Sequence, residues 1–179
     1  IYPALLITAA LLGCGENSNQ LEEGTTPPLI TAAETGDLAT LKQLLQQQPA
    51  DVYDSCQWTP LMKASLNGHT AAAEQLLASR ASVDLGDKGG YTALMLAASN
   101  NHAPLIRLLL QNGAEINHQE QTQGWTALIW AAKRGHSDTV GVLLEMGADK
   151  TIRDHKGITA QEWALKNDHA DIALALKDN

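Results

Sequence analysis

The chain has 179 residues, 44% hydrophobic and 18% charged, a length and balance that suit one globular domain. Its 20 acidic and 12 basic residues leave a net charge of -8; an acidic surface repels phosphate backbones, which excludes nucleic acid as the expected partner. Phe is absent, and two cysteines, Cys14 and Cys56, are too few for a disulfide framework.

Taken in chain order, the first feature is an uncharged apolar run over residues 3–12, followed by Gly13, Cys14 and a polar stretch reaching Pro28. The run is shorter than the roughly 18 residues that span a bilayer and close to the length of a signal-peptide h-region. Leu11-Leu12-Gly13-Cys14 resembles the lipobox of bacterial lipoprotein signal peptides. The resemblance implies cleavage before Cys14 and acylation of its thiol and new amino group, with residues 1–13 as signal peptide and 14–27 as a lipid-anchored flexible tether. Two or more acyl chains anchor stably. A tether of this polar composition spans about 20 Å root-mean-square. Gly15, where an Asp would favour the inner membrane, implies a lipid anchor in the outer membrane, facing the periplasm. No Lys or Arg precedes the run, so the sequence is expected to start within the leader. The alternative is an ordinary leader in a cytosolic or host-delivered protein, with Cys14 unmodified and open to a disulfide with Cys56. Cys56 itself reads as an incidental thiol in a loop or, in an oxidising envelope, as a redox-sensitive one.

From Pro28 onward the chain repeats itself. "WTPLMKASLNGH" (Trp58–His69), "YTALMLAASNNH" (Tyr91–His102), "WTALIWAAKRGH" (Trp125–His136) and "ITAQEWALKNDH" (Ile158–His169) align, and a fainter copy starts at Pro28. Thr59, Thr92, Thr126 and Thr159 open each copy as helix caps, with Pro60 suited to a first helical position. A short Ala-rich helix such as 61–66 follows, and Gly68 or Gly135 breaks it. A second helix carries the pairs Leu44/Leu45, Leu76/Leu77, Leu108/Leu109 and Leu143/Leu144 before Gly113-Ala114 or Gly147-Ala148 stops it. Helices this short need their neighbours to be stable.

These residues resemble the ankyrin repeat, with its Gly-x-Thr-Pro-Leu entry, Gly-His turn, Leu-Leu helix and Gly-Ala-Asp stop. The resemblance covers residues 28–179 and implies an all-α solenoid of about five helix-turn-helix repeats with β-hairpin loops and a concave binding face. It also implies a non-catalytic, monomeric module that binds a protein partner through its concave face and hairpin tips, with no cofactor. The first-helix His of the family is replaced by Met62, Met95, Ile129 and Glu162, and the first copy lacks the Thr-Pro-Leu opening. The polar ends suit capping repeats.

His69, His102, His136 and His169 recur one per repeat, about a helix diameter of 10 Å apart, so they are not expected to converge on a metal. No nucleophile elbow, phosphate loop or zincin motif is present. The positions before each capping Thr (Trp58, Tyr91, Trp125 and Ile158) are expected to line the partner groove. So are the residues ending the first helices: Leu66, Asn67, Ser99, Asn100, Lys133, Arg134, Lys166 and Asn167. Such a groove is aromatic at its base and basic at its later end, as protein interfaces favour. The competing reading is that these rings only stiffen the loops. Trp130 and Trp163 read as packing residues. A small enzyme or ligand carrier with a Trp-lined groove is the alternative from another functional class.

Overall fold

In the computed structural model, residues 26–177 are described; Cys14 and the leader and tether expectations lie outside them. The described residues hold ten α-helices in five pairs. The first helices are α1 (Pro28–Thr35), α3 (Pro60–Asn67), α5 (Ala93–Ser99), α7 (Ala127–Arg134) and α9 (Ala160–Lys166). The second helices are α2 (Leu38–Leu45), α4 (Thr70–Ala78), α6 (Ala103–Gln111), α8 (Ser137–Glu145) and α10 (Ala170–Ala175). Each helix packs on its pair-mate and on its counterpart in the next pair, and the first-helix row packs more closely than the second. The reason is side-chain size. Ala64, Ala97, Ala98, Ala131, Ala132 and Ala164 are buried on the first helices, whereas the second helices interpose Leu41, Leu76, Leu105, Leu109 and Leu143. No helix among the described residues is long and apolar enough to cross a membrane.

The starts and stops follow local chemistry. The hydroxyls of Thr59, Thr92, Thr126 and Thr159 accept the N–H of Met62, Met95, Ile129 and Glu162 at 3.2–3.5 Å. Pro27 gives α1 no side-chain cap, as its missing Thr foretells. Gly36, Gly68 and Gly135 end their first helices in the left-handed region. There a Cβ would stand 2.8, 2.6 and 2.6 Å from the ring of His69, His102 and His169 in the following repeat. The rings of His69, His102 and His136 donate through Nε2 to the carbonyls of Glu34, Leu66 and Ser99 at 3.0–3.1 Å. The Gly-His pair is thus an inter-repeat lock: glycine opens the space, and the next histidine fills it and satisfies a carbonyl at the helix end.

The connecting loops are short hairpin turns, closed by backbone bonds from the N–H of Asp54, Asp87, Glu120 and Asp154 to the carbonyls of Trp58, Tyr91, Trp125 and Ile158. Among the described residues no strand forms, and pairing is confined to the isolated bridges Gly86–Thr92 and Arg153–Thr159. The physical reason is an acidic side chain at each loop start, which takes the N–H groups a ladder would use. Asp54 accepts from Cys56 and Trp58, Asp87 from Gly89 and Tyr91, and Asp154 from Lys156 and Ile158, all at 2.8–2.9 Å. The third full loop is one residue longer and uses the longer Glu120, which accepts from Thr122, Gln123 and Trp125.

Candidate functional site

The expected groove residues fall into two groups in space. Trp58 and Leu66 belong to a small cluster with Met62 and Leu96, and Trp58 is only 7% exposed. Tyr91 is 9% exposed and leans on Trp130 with ring centres 6.2 Å apart. Both rings therefore present little surface to a partner. Ile158 is half-buried behind the Asp154 loop. Ser99 is buried, with its hydroxyl on Leu96 O. Asn67, Asn100 and Asn167 each turn their amide donor back onto their own helix, at the carbonyls of Lys63, Leu96 and Trp163.

Trp125, Lys133, Arg134 and Lys166 do meet, and Trp130 and Trp163 join them. Trp125 stands edge-on to both other indoles, 4.6 Å from Trp130 and 5.8 Å from Trp163. Lys133 Nζ lies 5.3 Å from the Trp125 ring centre and 4.9 Å from that of Trp163. The Arg134 guanidinium lies 5.1 Å over Trp130, and Lys166 Nζ 5.4 Å over Trp163. Cations at such range are held by the negative face of the ring. The three rings come from the loop before α7, from α7 itself and from α9, so the cluster exists only when repeats four and five are stacked.

One carboxylate sets the geometry. Asp154 is 5% exposed, and its Oδ2 accepts the indole N–H of both Trp125 and Trp163, each at 2.9 Å, while Oδ1 holds its own loop. Burial pushes its pKa up, but the donors from Ile158, Trp163, Trp125 and Lys156 outweigh that and leave it below the ordinary aspartate value. Glu120, 1% exposed, behaves alike: burial raises it, and the bonds from Thr122, Trp125 and Gln123 bring it below the ordinary glutamate value.

The cations lack such partners. Lys63 pairs with Glu34 at 3.0 Å, Arg107 with Glu145 at 2.6 Å and Arg153 with Glu162 at 3.3 Å. Among the described residues no carboxylate lies within ion-pair reach of Lys133, Arg134 or Lys166, and no acceptor meets their side-chain nitrogens. Arg134 Nε and Trp130 Nε1 are buried without a hydrogen-bond partner there. Burial, and then the approach of Arg134 and Lys156, depress the pKa of Lys133; burial alone depresses that of Arg134.

Trp130 and Trp163, expected as packing residues, are thus part of the cluster, and Asp154 and Glu120 join it without any expectation from the sequence. The available signal was the recurrence of an acid at 54, 87, 120 and 154, in step with the repeats.

A family model described as ankyrin repeats (3 copies) matches residues 5–87, 29–120, 67–154 and 116–179. No curated protein matches the chain. The chain belongs to the ankyrin repeat family, whose members generally bind protein partners and are generally non-catalytic.

Proposed function

We propose that this ankyrin-repeat chain is a non-catalytic protein-binding module that seats its partner on the first-helix face of repeats four and five. The carrying observation is the set of three tryptophans and three unpaired cations gathered there. Aromatic rings and Arg are the side chains that anchor protein interfaces. The two buried carboxylates, which an enzyme or ligand carrier would direct at a substrate, are occupied by their own loops and by the indoles. The test is partner capture by the wild-type chain, by Lys133→Ser with Lys166→Ser, and by Lys42→Ser on α2 as a distant control. Capture is expected to fall in the double variant and hold in the control, with all three melting alike; equal capture by all three would refute the assignment.

The finer reading places the module in the bacterial envelope as a periplasmic lipoprotein tethered through Cys14. Its support is the Leu11-Leu12-Gly13-Cys14 pattern and the polar residues after it. Expression in a bacterium beside Cys14→Ser tests it by intact mass and detergent partition. An acylated mass lost in the variant supports the tether; an unmodified, water-soluble wild type would instead favour the cytosolic or host-delivered alternative.

A further inference from the structure

The protein-binding role leaves open what chemistry the partner presents. The triad of Lys133, Arg134 and Lys166 answers this through what it lacks. A ring face attracts a cation without accepting a hydrogen bond along each N–H, so an ammonium or guanidinium resting on indole keeps its donors. Where the described cations form ion pairs, as Lys63, Arg107 and Arg153 do, they end on carboxylates of the chain itself. This triad does not, although the chain has 20 acidic residues to draw on. The one carboxylate built into the cluster, Asp154, is turned to the indole N–H groups. Three cations without an ion-pair partner among the described residues are thus gathered on one face of a protein whose net charge is -8.

We propose that this cluster receives an acidic segment of a partner protein, with Asp or Glu side chains on Lys133, Arg134 and Lys166 and their neighbours packed against Trp125 and Trp163. The proposal rests on the protein-binding role above. Two observations favour a short acidic segment over a polyanion. The overall charge repels long phosphate backbones. The cations also come from two helices, Lys133 on α7 and Lys166 on α9, each near the Trp163 ring, so a segment bearing more than one acid engages both helices at once. Packed helices lie 8–10 Å apart, about three residues of extended chain at roughly 3.3 Å each. Successive side chains of an extended chain alternate in direction, so acids about two positions apart, which share one face, are expected to fit.

The test is selection of a random-peptide phage library on the full chain, followed by affinity measurement of the selected peptides. Enrichment in Asp and Glu is expected, with affinity reduced about tenfold or more by Lys133→Glu combined with Lys166→Glu. Lys166→Glu alone, at an exposed position, serves if the double variant folds poorly, and Lys42→Glu is expected to change nothing. Binders that the double variant or Trp125→Phe weakens, yet without acidic enrichment, would overturn the acidic-segment proposal and leave the protein-binding face standing. Binders indifferent to every substitution on this face would overturn both. Displacement of the peptides by inorganic phosphate at matched ionic strength would make this a small-anion site and likewise overturn the proposal.

Discussion

Replacing Asp154 by Ala should be the most damaging single polar change in the described fold. The carboxylate accepts four hydrogen bonds at 2.9 Å: two from the indoles of Trp125 and Trp163, two from the backbone of Lys156 and Ile158. Hydrogen bonds to a charged group contribute about 1.5–3 kcal/mol each, and buried donors left without acceptors cost more than the bond itself contributed. Because the four share one acceptor they are not additive, and a total loss of about 3–5 kcal/mol is expected. Whole-domain stabilities are about 5–15 kcal/mol, and repeat arrays come apart locally at their weakest interface. The fifth repeat should therefore detach first. Asp154→Asn keeps one acceptor for the loop but turns an amide N–H2 toward two indole N–H groups, so it should lose less than Ala does and more than 1 kcal/mol, roughly 2–3. Urea unfolding followed by tryptophan emission is the assay, since two of the four tryptophans report on this carboxylate. A loss below about 1 kcal/mol for Asp154→Ala, with emission unchanged, would refute the claim that Asp154 organises the cluster.

Gly68→Ala should destabilise by about 1–3 kcal/mol, since its Cβ would stand 2.6 Å from the His102 ring at a φ of +74°. Gly113→Ala, at +89° but in open space, should lose only the backbone part; equal urea midpoints for the two would show that His102 is not the obstacle. His136 has a depressed pKa, chiefly from burial, with Arg134 and the neighbouring histidines adding to it against the bond to Ser99. Its folded pKa lies below the unfolded one, so its stability is present above about pH 6.5 and is lost as pH falls through the folded value. Melting temperatures should drop from pH 7.5 to 5.5 less in His136→Gln than in wild type; an equal drop would assign the effect elsewhere. Glu120 and Asp154, also depressed, contribute stability above about pH 4 that is lost on further acidification, so urea midpoints should fall steeply there and less so in Glu120→Gln. Leu109→Ala, at a fully buried position, should lose about 2–5 kcal/mol by calorimetry or urea melting.

What the sequence reveals here is what each repeat does for itself. Thr59, Thr92, Thr126 and Thr159 cap because the hydroxyl, the N–H groups and the turn all lie within four residues. Gly36, Gly68 and Gly135 stop helices for an equally local reason. Partner-dependent features are harder to read. Trp58, Tyr91 and Trp125 hold the same place in their repeats, yet Trp58 and Tyr91 are buried and Trp125 is half-buried. The difference lies in what the neighbouring first helix offers: Leu96 for Trp58, Trp130 for Tyr91, Trp163 for Trp125. The hairpins stop short of strands because Asp54, Asp87, Glu120 and Asp154 accept loop N–H groups, a side-chain effect that turn composition alone does not show.

The arrangement also explains how three cations can crowd together without carboxylates. Lys133 and Arg134 occupy the last turn of α7, and Lys166 the last turn of α9. A helix C-terminus carries a partial negative charge and favours cations there, and the indole faces add a second diffuse attraction. Neither source saturates the N–H donors, so the charge is tolerated without being neutralised. Besides the Trp125–Asp154 bond, the hydrogen bonds that join successive repeats do not use these cations: histidine rings donate to main-chain carbonyls, and the N–H groups of Ser82 and Glu115 donate to Asp51 and Asp84. Side chains at the ends of the first helices can therefore vary without loosening the stack. Recognition chemistry at Lys133, Arg134 and Lys166 is thus largely separable from cohesion, and charge reversal at exposed Lys166 should weaken binding more than it lowers the melting transition.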